Sequence, residues 1–399
     1  MGPPFGGGRR PSAGDGPAGR TLPPRPGPVA AHARARVWAA TGPGSQPRRS
    51  SSSTSATYGS VYHAVRAGRG RSTCRSRTIR FAASAFQRLT GVRATDVSDA
   101  SMPFLDPMTR TYSADVVAAL GLGHRAALLA PVSDPVATAE LPSGVRISNG
   151  PYDLPACALG AGVTRPGDGL LIVGMCLAAL VATERLDLDG EPAGLHISTD
   201  RPGHWLRAMP AMAGTAALDW VLATTGVRHT DVDRLLTTTP PGANGVRVRP
   251  YFAPSGERAP FLEPRLRAEF LGVCLETTAA DLVRAVCEGI GFAARHCLDA
   301  AGLTGTLALC GGGTRSPAWT RLFADVLGRP LRIVEGEVGA RGAVLSAARR
   351  FGAALDTAAW TAPREVVEPD PARAAFYAKA YEDHLTRLAE ARTRARARA

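Results

Sequence analysis

Cys310-Gly311-Gly312-Gly313-Thr314-Arg315-Ser316-Pro317-Ala318-Trp319 is the stretch on which the reading of this chain turns. Before it, Thr306-Leu-Ala-Leu-Cys310 is a short apolar run of strand type; after it, Trp319, Leu322, Phe323, Val326 and Leu327 recur at helical spacing. Ser316 is a natural N-cap, Pro317 a natural first helical residue and Gly328 a natural stop, which predicts a helix over 317–327. Three glycines between strand and helix let the backbone approach a ligand closely. The helix start behind them offers unpaired N–H groups and the positive end of a dipole. Phosphate or nucleotide suits such a place, and a plain strand-to-helix turn fits the same residues. No Gly-Lys-Ser/Thr follows and the Gly-x-Gly-x-x-Gly spacing is missing, so neither a Walker loop nor a dinucleotide fingerprint is present.

Working outward, the alternation continues. Asp281–Leu298 reads as a long helix with Leu282, Ala285, Val286 and Gly289 on one face, Pro330–Glu335 as a strand and Ala340–Arg350 as a small-residue helix. Strands alternating with helices put this half in the α/β class. Gly169–Val173 and Leu177–Thr183 are apolar runs separated by Gly174-Met175-Cys176, which predicts a buried hairpin. Amides of that turn are suited to a phosphate oxygen, and a simple hairpin turn is the other reading. Helices are also predicted over Phe81–Leu89, Asp115–Leu120 (Ser113 as cap), Met212–Thr224 before Gly226, and from Pro371 with Asp370 as cap. Tyr377, Tyr381, His384, Leu385 and Leu388 form the apolar face of the last.

A single carboxylate stands out in Gly150-Pro-Tyr-Asp153-Leu-Pro-Ala-Cys-Ala-Leu-Gly160. An acid among Pro, Ala and Leu tends to have a raised pKa and suits a general base. Capping of the helix that follows is the alternative role for Asp153.

Composition narrows the options. The 399 residues suffice for two domains, and 45% hydrophobic residues can build real cores. No apolar run approaches the roughly 18 residues that span a bilayer, and no signal-peptide stretch opens the chain, so a cytoplasmic protein without a membrane partner is expected. The net charge of +13 arises from 47 basic residues of which only Lys379 is not arginine, the bias of GC-rich coding, and much of it lies at the two ends. Few aromatic residues interleave with those arginines, so nucleic acid is not an expected partner. Seven cysteines without a Cys-x-x-Cys pair argue for free thiols rather than a metal or disulfide framework. Residues 1–77, rich in Gly, Pro, Arg and Ser, bury too little apolar surface to offset ordering and are expected to be disordered, with order starting near Ile79.

Together, and in this order, the segments resemble the FGGY carbohydrate kinases. Ala268-Glu-Phe270-Leu-Gly272-Val273 followed by Asp281-Leu282-Val-Arg-Ala285-Val286-Cys287-Glu288 is similar to the family's second signature, with Cys287 where a larger hydrophobe is usual. Tyr251…Ser255-Gly256-Glu257-Arg258-Ala259-Pro260 looks like its Tyr…Gly-Glu-Arg-x-Pro stretch. Arg88-Leu-Thr-Gly91 with Ala94-Thr95-Asp96-Val-Ser98-Asp99-Ala100-Ser101 resembles its Leu-Thr-Gly…Thr-Asp…Asn/Asp-Ala-Ser run.

The resemblance covers roughly residues 80–390 and implies an actin-like ATPase (ribonuclease H-like) two-domain fold with ATP, Mg2+ and a sugar in the cleft. The N-terminal domain is expected to be incomplete. The expected division is 1–77 low-complexity, 78–166 the remnant of the first domain, and 167–399 the nucleotide-binding domain. Carried over, Asp153 matches the catalytic base, Gly174 and Met175 the phosphate-holding hairpin turn, and Gly311, Gly312 and Gly313 the adenosine and phosphate turn. The implied activity is ATP-dependent phosphorylation of a small sugar or polyol, xylulose being the ketose the analogy favours; a homodimer is left open. Departures are the lack of the family's opening Gly-x-Asp-x-Gly-Thr turn, Met175 in place of threonine, and a short link over Leu141–Asn149. They keep a second reading alive, a catalytically inactive nucleotide- or sugar-binding protein of the same fold.

Overall fold

The structure, a computed structural model, describes residues 81–187, 189 and 191–397, with the side chains of Phe81 and Ala82 excepted. The expected disordered segment 1–77 and the onset of order at Ile79 lie outside the described residues.

At the centre is a seven-stranded sheet. Its strands are β1 (Gly169–Val173), β2 (Leu177–Thr183), β3 (Leu195–Ser198), β4 (Trp205–Pro210), β5 (Leu307–Cys310), β6 (Leu331–Ile333) and β7 (Glu365–Val367), in the spatial order β7-β6-β5-β1-β2-β4-β3. β1, β2 and β4 run antiparallel to one another in turn, whereas β5 lies parallel to both β1 and β6. Side chains alternate between the two faces, as the pleat requires. Leu171, Val173, Ala179, Val181, Leu307 and Leu309 join one core, and Leu170, Leu180, Ala208, Ala308 and Cys310 join the other. Because both faces are covered, the central strands β1, β2 and β5 read as unbroken apolar runs.

The described α-helices of six or more residues are α1 (Phe81–Thr90), α2 (Ala114–Ala119), α3 (Asp153–Gly160), α4 (Thr215–Thr225), α5 (Val232–Thr238), α6 (Ala279–Ala301), α7 (Pro317–Leu327), α8 (Val338–Arg350) and α9 (Pro371–Ala397). α6 starts two residues before the expected Asp281, because Thr278 is the cap and Asp281 closes a capping box with it. α4 starts three residues later than expected, leaving Met212 in the loop ahead of it. α7 keeps its expected bounds, with Ser316 as N-cap and Gly328 left-handed (φ 63°).

On the second face α3 and α8 meet backbone to backbone. A Cβ on Gly342 would lie 1.8 Å from the Ala156 carbonyl, and one on Gly160 would lie 2.0 Å from that of Val338. Glycine at the crossing is therefore a packing requirement that fixes α3 against the sheet.

The segment before α3 is built of small pieces. Thr95–Asp96 pairs in parallel with Val132–Ser133, and two two-stranded ribbons pair Leu105–Asp106 with Thr111–Tyr112 and Thr138–Glu140 with Arg146–Ser148. It is tied to the edge of the sheet by Ser198 N–H donating to Ser101 Oγ (3.0 Å) and by Trp205 Nε1–H donating to the Pro107 carbonyl (3.3 Å).

Candidate active site

β1 and β5 are parallel neighbours, so the turns that follow them emerge at one edge of the sheet, the edge where open α/β sheets bind ligands. The contact is direct. Gly311 adopts φ 102° and a Cβ there would lie 2.6 Å from the Val173 carbonyl; one on Gly313 would lie 2.4 Å from Val173 Cγ1. Val173 is the residue before Gly174, so the structure brings the hairpin turn and the glycine turn together. A Cβ on Gly312, by contrast, would meet nothing within 4 Å.

The peptide groups of these turns are sorted by their partners. The carbonyls of Gly174 and Met175 accept from Thr215 N–H (2.9 Å) and Ala216 N–H (3.3 Å) at the start of α4. In a trans peptide the following N–H points the opposite way, so the amides of Met175 and Cys176 are turned away from α4. The Met175 side chain is 61% exposed at the tip. In the glycine turn the Gly311 carbonyl accepts from Thr314 N–H (3.1 Å) and Thr314 Oγ1–H (2.8 Å), which turns the Gly312 amide outward by the same rule.

One sequence expectation is corrected here. The amides at the start of α7 are not unpaired. Trp319 N–H donates to Ser316 Oγ (3.1 Å), and Ala318 N–H donates to Asp233 Oδ1 (2.9 Å), which also takes the Ser316 hydroxyl proton (2.8 Å). Asp233 comes from α5 and caps α7 with its own negative charge. The amides of Ala318 and Trp319 at the helix end are therefore already paired, whereas those of Met175, Cys176 and Gly312 in the two turns face away from their own scaffold.

Asp153 also departs from its local reading. It is exposed rather than enclosed by its apolar neighbours, and Tyr152 is the N-cap, with Asp153 as the first helical residue. Leu154 N–H donates to its Oδ1 (2.7 Å). One turn further along α3, Cys157 Sγ would lie 3.3 Å from a Cβ on Gly339, and its thiol is pushed up to about 11 by burial, then by the charges of Asp153 and Glu337. Cys157 in turn adds to the rise of Cys310, the last residue of β5, and Leu154 and Ala158 join Ala308 and Cys310 in one core, so α3 packs on the sheet face that β5 helps to form.

Behind the hairpin turn lies a group the sequence singles out only as part of a motif. Glu257 is 1% exposed and its carboxylate accepts from four amides, those of Met212 (2.7 Å), Ala213 (3.2 Å), Arg258 (2.8 Å) and Ala259 (3.3 Å). It shapes the loop carrying Gly214, whose absent Cβ leaves room for Met175 and Cys176 (2.4 Å to the Met175 carbonyl). Burial pushes Glu257 up to about 7, against the opposing pull of those amides. The folded state thus holds the proton more tightly than the unfolded chain, so this group's contribution is full below about 4.5 and is lost as pH rises through 7. Relative to Glu257→Gln, the chain is expected to lose up to about 3 kcal/mol of stability between pH 4 and 8. Urea midpoints of the two proteins across that range check this; a constant difference would contradict it.

The comparisons with known proteins agree with this architecture. The FGGY family of carbohydrate kinases, C-terminal domain, matches residues 174–351. The erythritol kinase of Brucella abortus is 33% identical over 328 residues, covering 73% of this chain and 63% of that protein. The xylulose kinase of Escherichia coli is 28% identical over 282 residues, 66% of this chain and 56% of that protein. The chain thus spans less than two thirds of the length of either relative. Among solved structures, xylulose kinase from Rhodospirillum rubrum superposes with a TM-score of 0.69 at 29% identity, over 79% of this chain and 67% of that one. Xylulose kinase from Lactobacillus acidophilus gives 0.70 at 21% identity, over 76% and 66%, a likeness of fold. The fold class is the α/β, actin-like, ribonuclease H-like one of the sugar kinases. The chain belongs to the FGGY family of carbohydrate kinases.

Proposed function

We propose that this chain transfers the γ-phosphoryl group of ATP to a hydroxyl of a small polyol or ketose, with Asp153 as general base. The observation that carries the reading is the meeting of the two turns at Val173; α3, which shares a core with Cys310 at the end of β5, carries one carboxylate, Asp153. Asp153 takes the hydroxyl proton, the substrate oxygen forms its bond to the γ-phosphorus, and the bond to the bridging oxygen breaks to release ADP. An exposed carboxylate in the first turn of a helix lies at the positive end of the helix dipole, where negative charge is favoured.

The glycine turn fits a nucleotide, since the Gly312 position is open and its amide faces out. Among the described residues no group of three or more His, Cys, Asp or Glu stands together. Mg2+ needs no such cage, because it keeps several waters and binds mainly through phosphates plus one or two carboxylates. It would arrive with ATP and neutralise phosphate charge. The relatives named erythritol kinase and xylulose kinase suggest four- and five-carbon substrates. Met175 favours a second reading, binding without turnover, because a thioether offers phosphate no hydroxyl proton.

ATP consumption measured with erythritol, other tetritols and pentitols, and xylulose separates the two. Turnover above background with at least one of them is expected. ADP binding with no turnover on any of them supports the second reading.

A further inference from the structure

The run Thr95–Ser101 takes no part in the edge where the turns meet, yet every residue in it is buried. Its polar groups are interlocked. The Ser98 hydroxyl donates to Asp96 Oδ1 (2.5 Å), and Ser98 N–H donates to the same oxygen (2.7 Å). Ser98 Oγ in turn accepts Tyr152 N–H (2.8 Å), from the residue immediately before Asp153. Three residues on, Ser101 Oγ donates to the Val97 carbonyl (2.8 Å) and accepts Ser198 N–H at the end of β3 (3.0 Å). One short helix, Val97–Ala100, is thereby fastened to the sheet at one end and to the start of α3 at the other.

We propose that Asp96 and Ser98 are positioning residues for the candidate base, their hydrogen-bond chain fixing the Tyr152 backbone from which Asp153 is aimed. This rests on Asp153 being the base. A hydroxyl has a single proton. Because Asp96 receives it, the remaining lone pairs of Ser98 face the Tyr152 amide as acceptors only. Asp96, 6% exposed, is accordingly a fixed acceptor that sets the direction of the whole chain. Removing the hydroxyl orphans a backbone amide at the N-cap of α3 and takes a donor from a buried carboxyl, both costly. The loss is felt one residue later, at the carboxylate, where an error of about 1 Å costs about 100-fold in rate.

The test uses the full chain and its Ser98→Ala and Ser98→Thr variants. Two quantities are followed: amide exchange at Tyr152, Asp153, Leu154 and Ala156, and kcat beside the dissociation constant for ADP. Ser98→Ala should exchange at least about tenfold faster at those amides, with strand β1 unchanged. Its kcat should fall about 10- to 100-fold while ADP affinity stays within about twofold. Ser98→Thr, which keeps the hydroxyl, should recover both. Unaltered exchange at the four amides in Ser98→Ala overturns the latch. Faster exchange with undiminished kcat overturns its role in positioning. If the unmodified chain phosphorylates no sugar, the proposed activity fails, while the exchange result still decides whether Ser98 holds α3.

Discussion

Asp153→Asn is expected to lower kcat by about 10²- to 10⁴-fold, the usual contribution of a positioned general base. The expectation is sharp because the substitution changes little else. Asp153 is exposed, so no core is disturbed, and Asn keeps an oxygen for the Leu154 N–H. The stability cost is limited to the charge at the first turn of α3, about 0.3–1 kcal/mol. A base acts on the reacting hydroxyl and not on the nucleotide, so the dissociation constant for ADP should stay within about twofold and the loss should appear in kcat. Equal falls in kcat and ADP affinity would instead point to a disturbed cleft. Full activity in the Asn variant would remove Asp153 from the mechanism.

The legible parts of this fold share a cause. β1, β2 and α7 have in the structure the bounds that the sequence predicts, because each is an apolar run closed by glycines or by a cap and stop. β3 and β4 carry no such signal. His196 and Arg207 interrupt their apolar pattern, and Arg207 is accommodated in the sheet by donating to the Ala193 carbonyl (2.8 Å). The cap of α7 was half legible. Ser316 is adjacent to the helix and announces itself, whereas Asp233 reaches it from 83 residues away, and no local rule connects them.

The family signatures are recognisable without disclosing what they do. Asp281 and Glu288, the two acids of the second signature, lie away from the turns. Asp281 closes the cap of α6 and accepts from Asn244 Nδ2 (2.7 Å). Glu288 is buried with Arg284, accepts from Tyr377 (2.7 Å) and holds the Gly242 amide (2.9 Å), joining α6 to α9 and to the loop after α5. Glu257 in the Gly-Glu-Arg-x-Pro stretch is likewise a scaffold, for the loop that packs on the hairpin turn. These acids could be found from the pattern, but their roles are set by amides and side chains far away in sequence.

Gly312→Val is expected to weaken ADP binding at least about 100-fold, equivalent to about 2.7 kcal/mol, while leaving the melting temperature nearly unchanged. Its neighbours make the contrast. Valine at Gly311 would have to adopt φ 102° and push into the Val173 carbonyl, and at Gly313 it would collide with the Val173 side chain. Either change attacks the join between β1 and β5 and should unfold or strongly destabilise the domain. At Gly312 the added carbons enter open space, so the apoprotein has no reason to rearrange. That same space lies beside the outward-facing Gly312 amide, and a branched side chain there bars a nucleotide from reaching it. Calorimetric titration with ADP, run beside thermal melts of Gly312→Val and Gly313→Val, separates the two effects. The first variant should melt normally and fail to bind; the second should melt early. Undiminished ADP affinity in a normally melting Gly312→Val protein would take the glycine turn out of the nucleotide site.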